Sequence, residues 1–209
     1  DLVFNEVPAL TGRKFKYDSL PGAWKARELA PALDLLCEAS VVHRITHSAG
    51  NGIPLKAESN PNRFKALFLD VGLAQRIMGA DIKPWILDPA AAIGNAGAVT
   101  EAFVGQELLA YSRPWAEQEL HYWHREARAS NAEVDYLLPL GDVVVPVEVK
   151  SGATGRLRSL RAFLDEKRST TPYGLRFCGQ PASIHQDLHS YAIYAIPHVL
   201  REQIPRDWF

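Results

Sequence analysis

The feature that most constrains this chain is residues 131–152, NAEVDYLLPLGDVVVPVEVKSG. Asp135 opens an apolar run of Tyr136, Leu137 and Leu138. Pro139, Leu140, Gly141 and Asp142 then supply turn chemistry, because glycine tolerates positive φ and aspartate can bond its own backbone. Residues 143–149 are β-branched and almost continuously apolar, which predicts a buried central strand. Pro146 lacks an N–H, so an edge or a bulge is expected there. Strand side chains alternate, so Glu148 and Lys150 share one face and Val147 and Val149 take the other. A carboxylate and an ammonium at the end of an apolar strand are costly to bury without partners. Taken alone, such a pair reads as a salt bridge at a strand end. Here the hairpin partner begins with Asp135, which brings a second carboxylate beside Glu148. Two close carboxylates repel, and one pKa rises unless a cation neutralises them. Asp, Glu and Lys together make an oxygen-rich shell suited to Mg²⁺.

Asp135 followed by Glu148-Val149-Lys150 at the end of an apolar strand resembles the PD-(D/E)XK nuclease signature. More narrowly, VDYLLPL followed by VPVEVKSG resembles the C-terminal domain of many prokaryotic AAA+-type ATPases, regarded as a nuclease-like fold behind a winged-helix-like segment. The resemblance extends to RFKALFLDVGLAQRIMG at residues 63–79 and GAVTEAFVGQELL at residues 97–109. It implies Mg²⁺ or Mn²⁺ held by Asp135 and Glu148, with the Val149 carbonyl as a third ligand. Lys150 would orient the attacking water or balance charge on the phosphate. The spacing from Gly97 to Glu101 resembles the acidic position on the first helix of such enzymes, so Glu101 joins the set as an outer acid. It implies DNA as a partner and an ATPase domain in the same longer chain. No G-x-x-x-x-G-K-[ST] occurs in the sequence, so the chain would carry the C-terminal part without the motor.

The charge balance gives no independent support for nucleic-acid binding. Lys plus Arg against Asp plus Glu is 11 to 10 over residues 1–90 and 12 to 14 over residues 91–209, for a net charge of −1. A nucleic-acid binder usually shows a basic footprint. Local candidates are Lys14 and Lys16, with Arg13, in a basic loop near the N-terminus. The others are Arg156, Arg158 and Arg161 on a helix expected over residues 155–168. The commoner reading is a solvated charge or a packing module, and the sharper one a phosphate-backbone contact. Two cysteines, Cys37 and Cys178, make no disulfide framework and point to a reducing, cytoplasmic setting. No apolar run approaches a membrane span.

Along the chain, an apolar stripe of Ala26, Leu29, Ala30, Leu33, Leu36 and Cys37 predicts a helix over residues 25–40. A strand over residues 41–45 follows, with Ile53, Pro54 and Leu55 as its expected short partner. Helix then hairpin suggests a winged-helix-like segment over residues 1–85, set apart as a packing module with no catalytic side chain. Residues 65–70 read as a strand ending in Asp70, placed to cap the next helix. The helix of residues 97–111 is expected to bury Val99, Phe103, Leu108 and Leu109. Strands are expected at residues 119–125, 173–177 and 190–196, then a short tail helix. His121 and His124 are three apart and cannot share a strand face, which argues against a histidine metal pair. The fold class is α/β (α+β overall): a restriction-endonuclease-like mixed sheet flanked by helices over residues 86–209, behind the N-terminal segment.

Overall fold

The computed structural model describes residues 1–81, 83–88, 97–112, 119–125, 131–152 and 157–203. In chain order the elements are α1 (Leu2–Glu6), α2 (Ala26–Glu38), β1 (Val42–Ser48), β2 (Ser59–Phe68), α3 (Val71–Ile77) and α4 (Lys83–Leu87). There follow α5 (Gly97–Ala110), β3 (Leu120–His124), β4 (Glu133–Leu140), β5 (Val143–Lys150) and α6 (Arg158–Glu166). The chain continues through β6 (Gly174–Cys178), β7 (Ser183–His185), β8 (Leu188–Ala192) and α7 (Ile196–Gln203). The strands form one mixed eight-stranded sheet in the order β2-β1-β3-β4-β5-β6-β8-β7. β1 joins β3, β5 joins β6 and β6 joins β8 in parallel, and the remaining neighbours are antiparallel. The chain is therefore a mixed α/β protein, as expected.

The hairpin of residues 131–152 forms as its turn chemistry predicts. Gly141 takes φ +63°, and Tyr136 pairs with Val147 and Leu140 with Val143. Pro146 does not mark an edge or a bulge. The Val149 N–H points toward β4, where it donates to Asp135, so alternation turns the Pro146 nitrogen toward β6. There the ladder begins only at Val147, so the missing donor is not needed.

Three further expectations are corrected. The partner of β1 is β2, not residues 53–55, which precede a short 3₁₀ turn at Leu55–Glu58. The strand expected at residues 190–196 lies at Leu188–Ala192, and the chain turns helical at Ile193. The N-terminal hairpin is not set apart: β1 bonds directly to β3, with Ile45 opposite Leu120, so residues 42–68 supply the outer strands of the sheet that also holds β4 and β5. An exposed strand edge is satisfied most completely by another strand, and the edge of β3 recruits β1.

The core divides across the sheet. Leu67, Tyr122, Tyr136, Val145, Val147, Leu175 and Phe177 pack with Val104 and Leu108 of α5 and Ile196 of α7. Trp123, Val134, Leu137 and Val144 pack with Phe163 of α6. A third cluster around Leu29, Leu33, Phe64 and Phe68 joins α2 to β2. Helix α5 buries Thr100, Ala102, Val104, Gly105, Leu108 and Leu109, while Val99 and Phe103 are only half-buried. Its sequence is apolar nearly all round, so periodicity had no clear stripe to find. Asp70 caps α3 as expected, its Oδ1 accepting from the Leu73 N–H at 2.7 Å. No helix among the described residues is long and apolar enough to cross a membrane.

Candidate functional site

Beyond the last paired residues of the β4–β5 ladder, Tyr136 and Val147, the next positions along the two strands are Asp135 and Glu148. Asp135 Oδ2 accepts the Val149 N–H at 2.8 Å. Glu148 Oε1 accepts from Lys150 Nζ at 2.5 Å, while Glu148 Oε2 is buried with no hydrogen-bond partner among the described residues. Burial raises the Glu148 carboxyl to about 7, and the nearby Asp135 charge pushes the same way against the pull of Lys150. Glu101, on α5, also interacts with the Asp135 charge. Burial and then the Asp135 charge also raise its carboxyl to about 7. The structure thus brings Asp135, Glu148, Lys150 and Glu101 into one electrostatic cluster.

Glu101 is held there by packing. The Tyr136 hydroxyl donates to the Glu101 carbonyl at 2.7 Å, which pins the first turns of α5 to β4. The approach needs Gly105, because a Cβ there would collide with the Tyr136 hydroxyl.

Sequence reasoning missed one member. Lys65, on β2, is 1% exposed, and its Nζ lies 2.9 Å from Glu101 Oε1 and 2.7 Å from Glu133 Oε1. The ammonium also stands 5.3 Å from the Tyr122 ring centroid, within cation–π range. Burial opposes its charge, but Glu101, Glu133 and Asp135 outweigh that and hold it protonated above the usual lysine range. The signal was present: a lysine inside the apolar run FKALFL needs a buried anion. Lys65 thus brings a side chain of the N-terminal segment into this electrostatic cluster.

Four carboxylates (Glu101, Glu133, Asp135, Glu148) therefore face three lysines when all are ionised: Lys65 and Lys150, and at the rim Lys14, 39% exposed and 3.5 Å from Glu133. One negative charge is left over, which a proton or a bound cation would offset.

The other candidate residues lie elsewhere or at the margin. Lys14 forms a β-bridge to Lys65 and so borders the cluster, while Lys16 is exposed two residues on. Arg158 and Arg161 are exposed on α6, whose Leu160, Phe163 and Leu164 face inward. Arg156 lies outside the described residues. Of the two histidines, His124 sits opposite Glu133 across the β3–β4 ladder, while the His121 ring bonds Thr46 and burial lowers its pKa.

The oxygen donors suit a hard cation. Among the described residues no three His, Cys, Asp or Glu side chains form a ready metal cage. Mg²⁺, however, is commonly held by one or two carboxylates plus water and substrate phosphate. Asp135 and Glu148, with the unpartnered Oε2, fit that pattern. The Val149 C=O leaves the same strand edge as its N–H, the edge where Asp135 lies.

The fold and site define a mixed α/β protein with a largely buried acidic cluster partly offset by lysines. Residues 96–197 match the family model for a domain of unknown function, DUF4143. Residues 1–83 match that for a second domain of unknown function, DUF8612. Comparison with curated proteins and with solved structures returned no match.

Proposed function

We propose that this chain is a metal-dependent, nuclease-like phosphodiester hydrolase of the PD-(D/E)XK type, the C-terminal part of an AAA+-type ATPase. The observation that carries the reading is the buried Oε2 of Glu148 beside Asp135, unpartnered among the described residues, in a cluster whose carboxylates outnumber its lysines. Asp135 and Glu148 would hold Mg²⁺ or Mn²⁺, with the Val149 carbonyl beside them. A bound ion of this kind lowers the pKa of water and stabilises charge on a phosphate.

The chain's own groups do the rest. The Val149 N–H fixes one oxygen of Asp135, which orients that carboxylate. Lys150, 27% exposed, presents its ammonium at the mouth of the site, where it can place a water or meet developing negative charge. Glu101 acts through Lys65 rather than as a metal ligand. Lys14, at the rim, and Arg158 and Arg161, on α6, are the candidates for phosphate-backbone contact.

The test is cleavage of labelled DNA and RNA with Mg²⁺, with Mn²⁺ and with chelator. Activity should need the divalent ion and fall on the order of 10²-fold or more in Lys150→Ala and in Glu148→Gln. Parental cutting by both variants would sink the proposal.

A second reading has its own observation. Lys65 already bridges Glu101 and Glu133 from within, as a purely structural network would. On that reading the chain is a non-catalytic DNA-binding or protein-interaction domain that keeps the nuclease fold. Mn²⁺ binding to the purified parent separates the two, since the structural network has no use for the ion.

A further inference from the structure

The four carboxylates are not equivalent. Glu101 and Glu133 each place an oxygen within 3 Å of the Lys65 ammonium, at 2.9 and 2.7 Å. That ammonium is gripped from three elements: a carboxylate on α5, another on β4 and the Tyr122 ring on β3. Its stem is buried in a strand whose ladder, Lys65 opposite Ile45, leaves it no freedom to withdraw. Asp135 and Glu148 are served differently. The Lys65 charge reaches Asp135 and Glu148 only through space; the groups that bond them are a backbone N–H and the partly exposed Lys150, and among the described residues Glu148 Oε2 bonds none. The cluster has one half filled by a fixed cation and one half open.

We infer that Lys65 is a positioning residue, a tethered cation that fills the Glu101–Glu133 half and confines divalent-ion binding to one ion on the Asp135–Glu148 half. This rests on the metal-dependent reading above. Two-metal phosphodiesterases place their ions about 4 Å apart, within one carboxylate cluster. Here a monovalent charge on a side chain holds the place a second ion would need. It supplies charge balance without coordination bonds, so it cannot activate a second water. The site is then built for single-ion chemistry. The N-terminal hairpin becomes part of the site, because Lys65 arrives on β2.

The experiment counts bound Mn²⁺ by electron paramagnetic resonance at pH 8, in the full chain and its variants. Lys65→Met should bind one Mn²⁺ more than the parent, and Lys65→Met with Glu101→Gln should return to the parental number. Lys65→Arg keeps a cation in place and should keep that number too. An unchanged count in Lys65→Met, or an extra ion that survives Glu101→Gln, overturns the inference. If Lys65→Met lacks a cooperative melt without metal, added Mn²⁺ should restore one, and failure to do so overturns the inference as well. The metal-dependent reading is judged separately, on the parent: it requires one Mn²⁺ there and its loss in Glu148→Gln. A parent that binds none, beside a Lys65→Met that binds one, would end that reading and leave the role of Lys65 standing.

Discussion

Glu148→Gln should make the protein more stable above neutral pH, although it removes one partner of an ion pair. The Glu148 carboxyl rises from its usual 4.5 to about 7, driven first by burial and then by Asp135, with the attraction of Lys150 already opposing. At about 1.4 kcal/mol per pH unit, ionised Glu148 costs the folded state roughly 3 kcal/mol relative to its neutral form. Glu101 rises to a similar value beside the same Asp135, so protons are shared and about 2 kcal/mol is the safer figure. The sign follows from linkage. A carboxyl raised in the folded state contributes fully below its unfolded pKa near 4.5, and that contribution is lost as pH climbs through about 7. Glutamine stays neutral throughout. The stability difference between variant and parent should therefore be near zero at pH 4.5 and grow to about 2 kcal/mol in favour of Glu148→Gln by pH 8. Lys150 is 27% exposed and can turn to water when its partner loses charge. Urea unfolding at a series of pH values, in chelator, reads both curves. A variant less stable than the parent at pH 8, or a difference that does not change with pH, would refute the reasoning.

Tyr136→Phe removes the donor to the Glu101 carbonyl and should cost about 1 kcal/mol in urea unfolding. Gly105→Ala drives a methyl into the same hydroxyl and should cost about 1–3 kcal/mol; combined with Tyr136→Phe the losses should be less than additive, because both act on one oxygen. Asp70→Ala uncaps α3 and should lower stability by about 1 kcal/mol. Deleting residues 1–68 strips β1 from β3 and bares a row of unpaired N–H and C=O groups. Light scattering should show that shortened chain self-associating, and a monodisperse monomer would contradict the role given to the β1–β3 ladder.

Local chemistry carried much of this structure in the sequence. The turn at Gly141, the β-branched run of β5, the Asp70 cap and the stripe of α2 each announce themselves within a few residues. What escaped was non-local or disguised. Strand β2 begins Ser59-Asn60-Pro61-Asn62, residues depleted from strands, so its first half reads as loop and β1 loses its partner. The parallel pairing of β1 with β3 leaves no mark on either segment, so the hairpin read as a module of its own. The pairing of Asp135 with Glu148 followed from the hairpin alone. Glu101 needed the resemblance to the nuclease signature, and Glu133 was legible only as a neighbour of Asp135. Lys65 was visible as a lysine in an apolar strand, but its anions come from residues 36 and 68 positions away, on α5 and β4.

The same long-range pairing sets the order in which the molecule can assemble. The hairpins β1–β2 and β4–β5 close over short connections, whereas Ile45 meets Leu120 across 75 positions (120 − 45). Contacts at that separation form late, because chain entropy is lost before they repay it. Glu133 and Asp135 thus stay hydrated through early collapse and are dried only when β2 delivers an ammonium to meet them. Lys65→Met should accordingly hasten unfolding while leaving the folding rate almost unchanged, which places the charged pocket on the native side of the transition state.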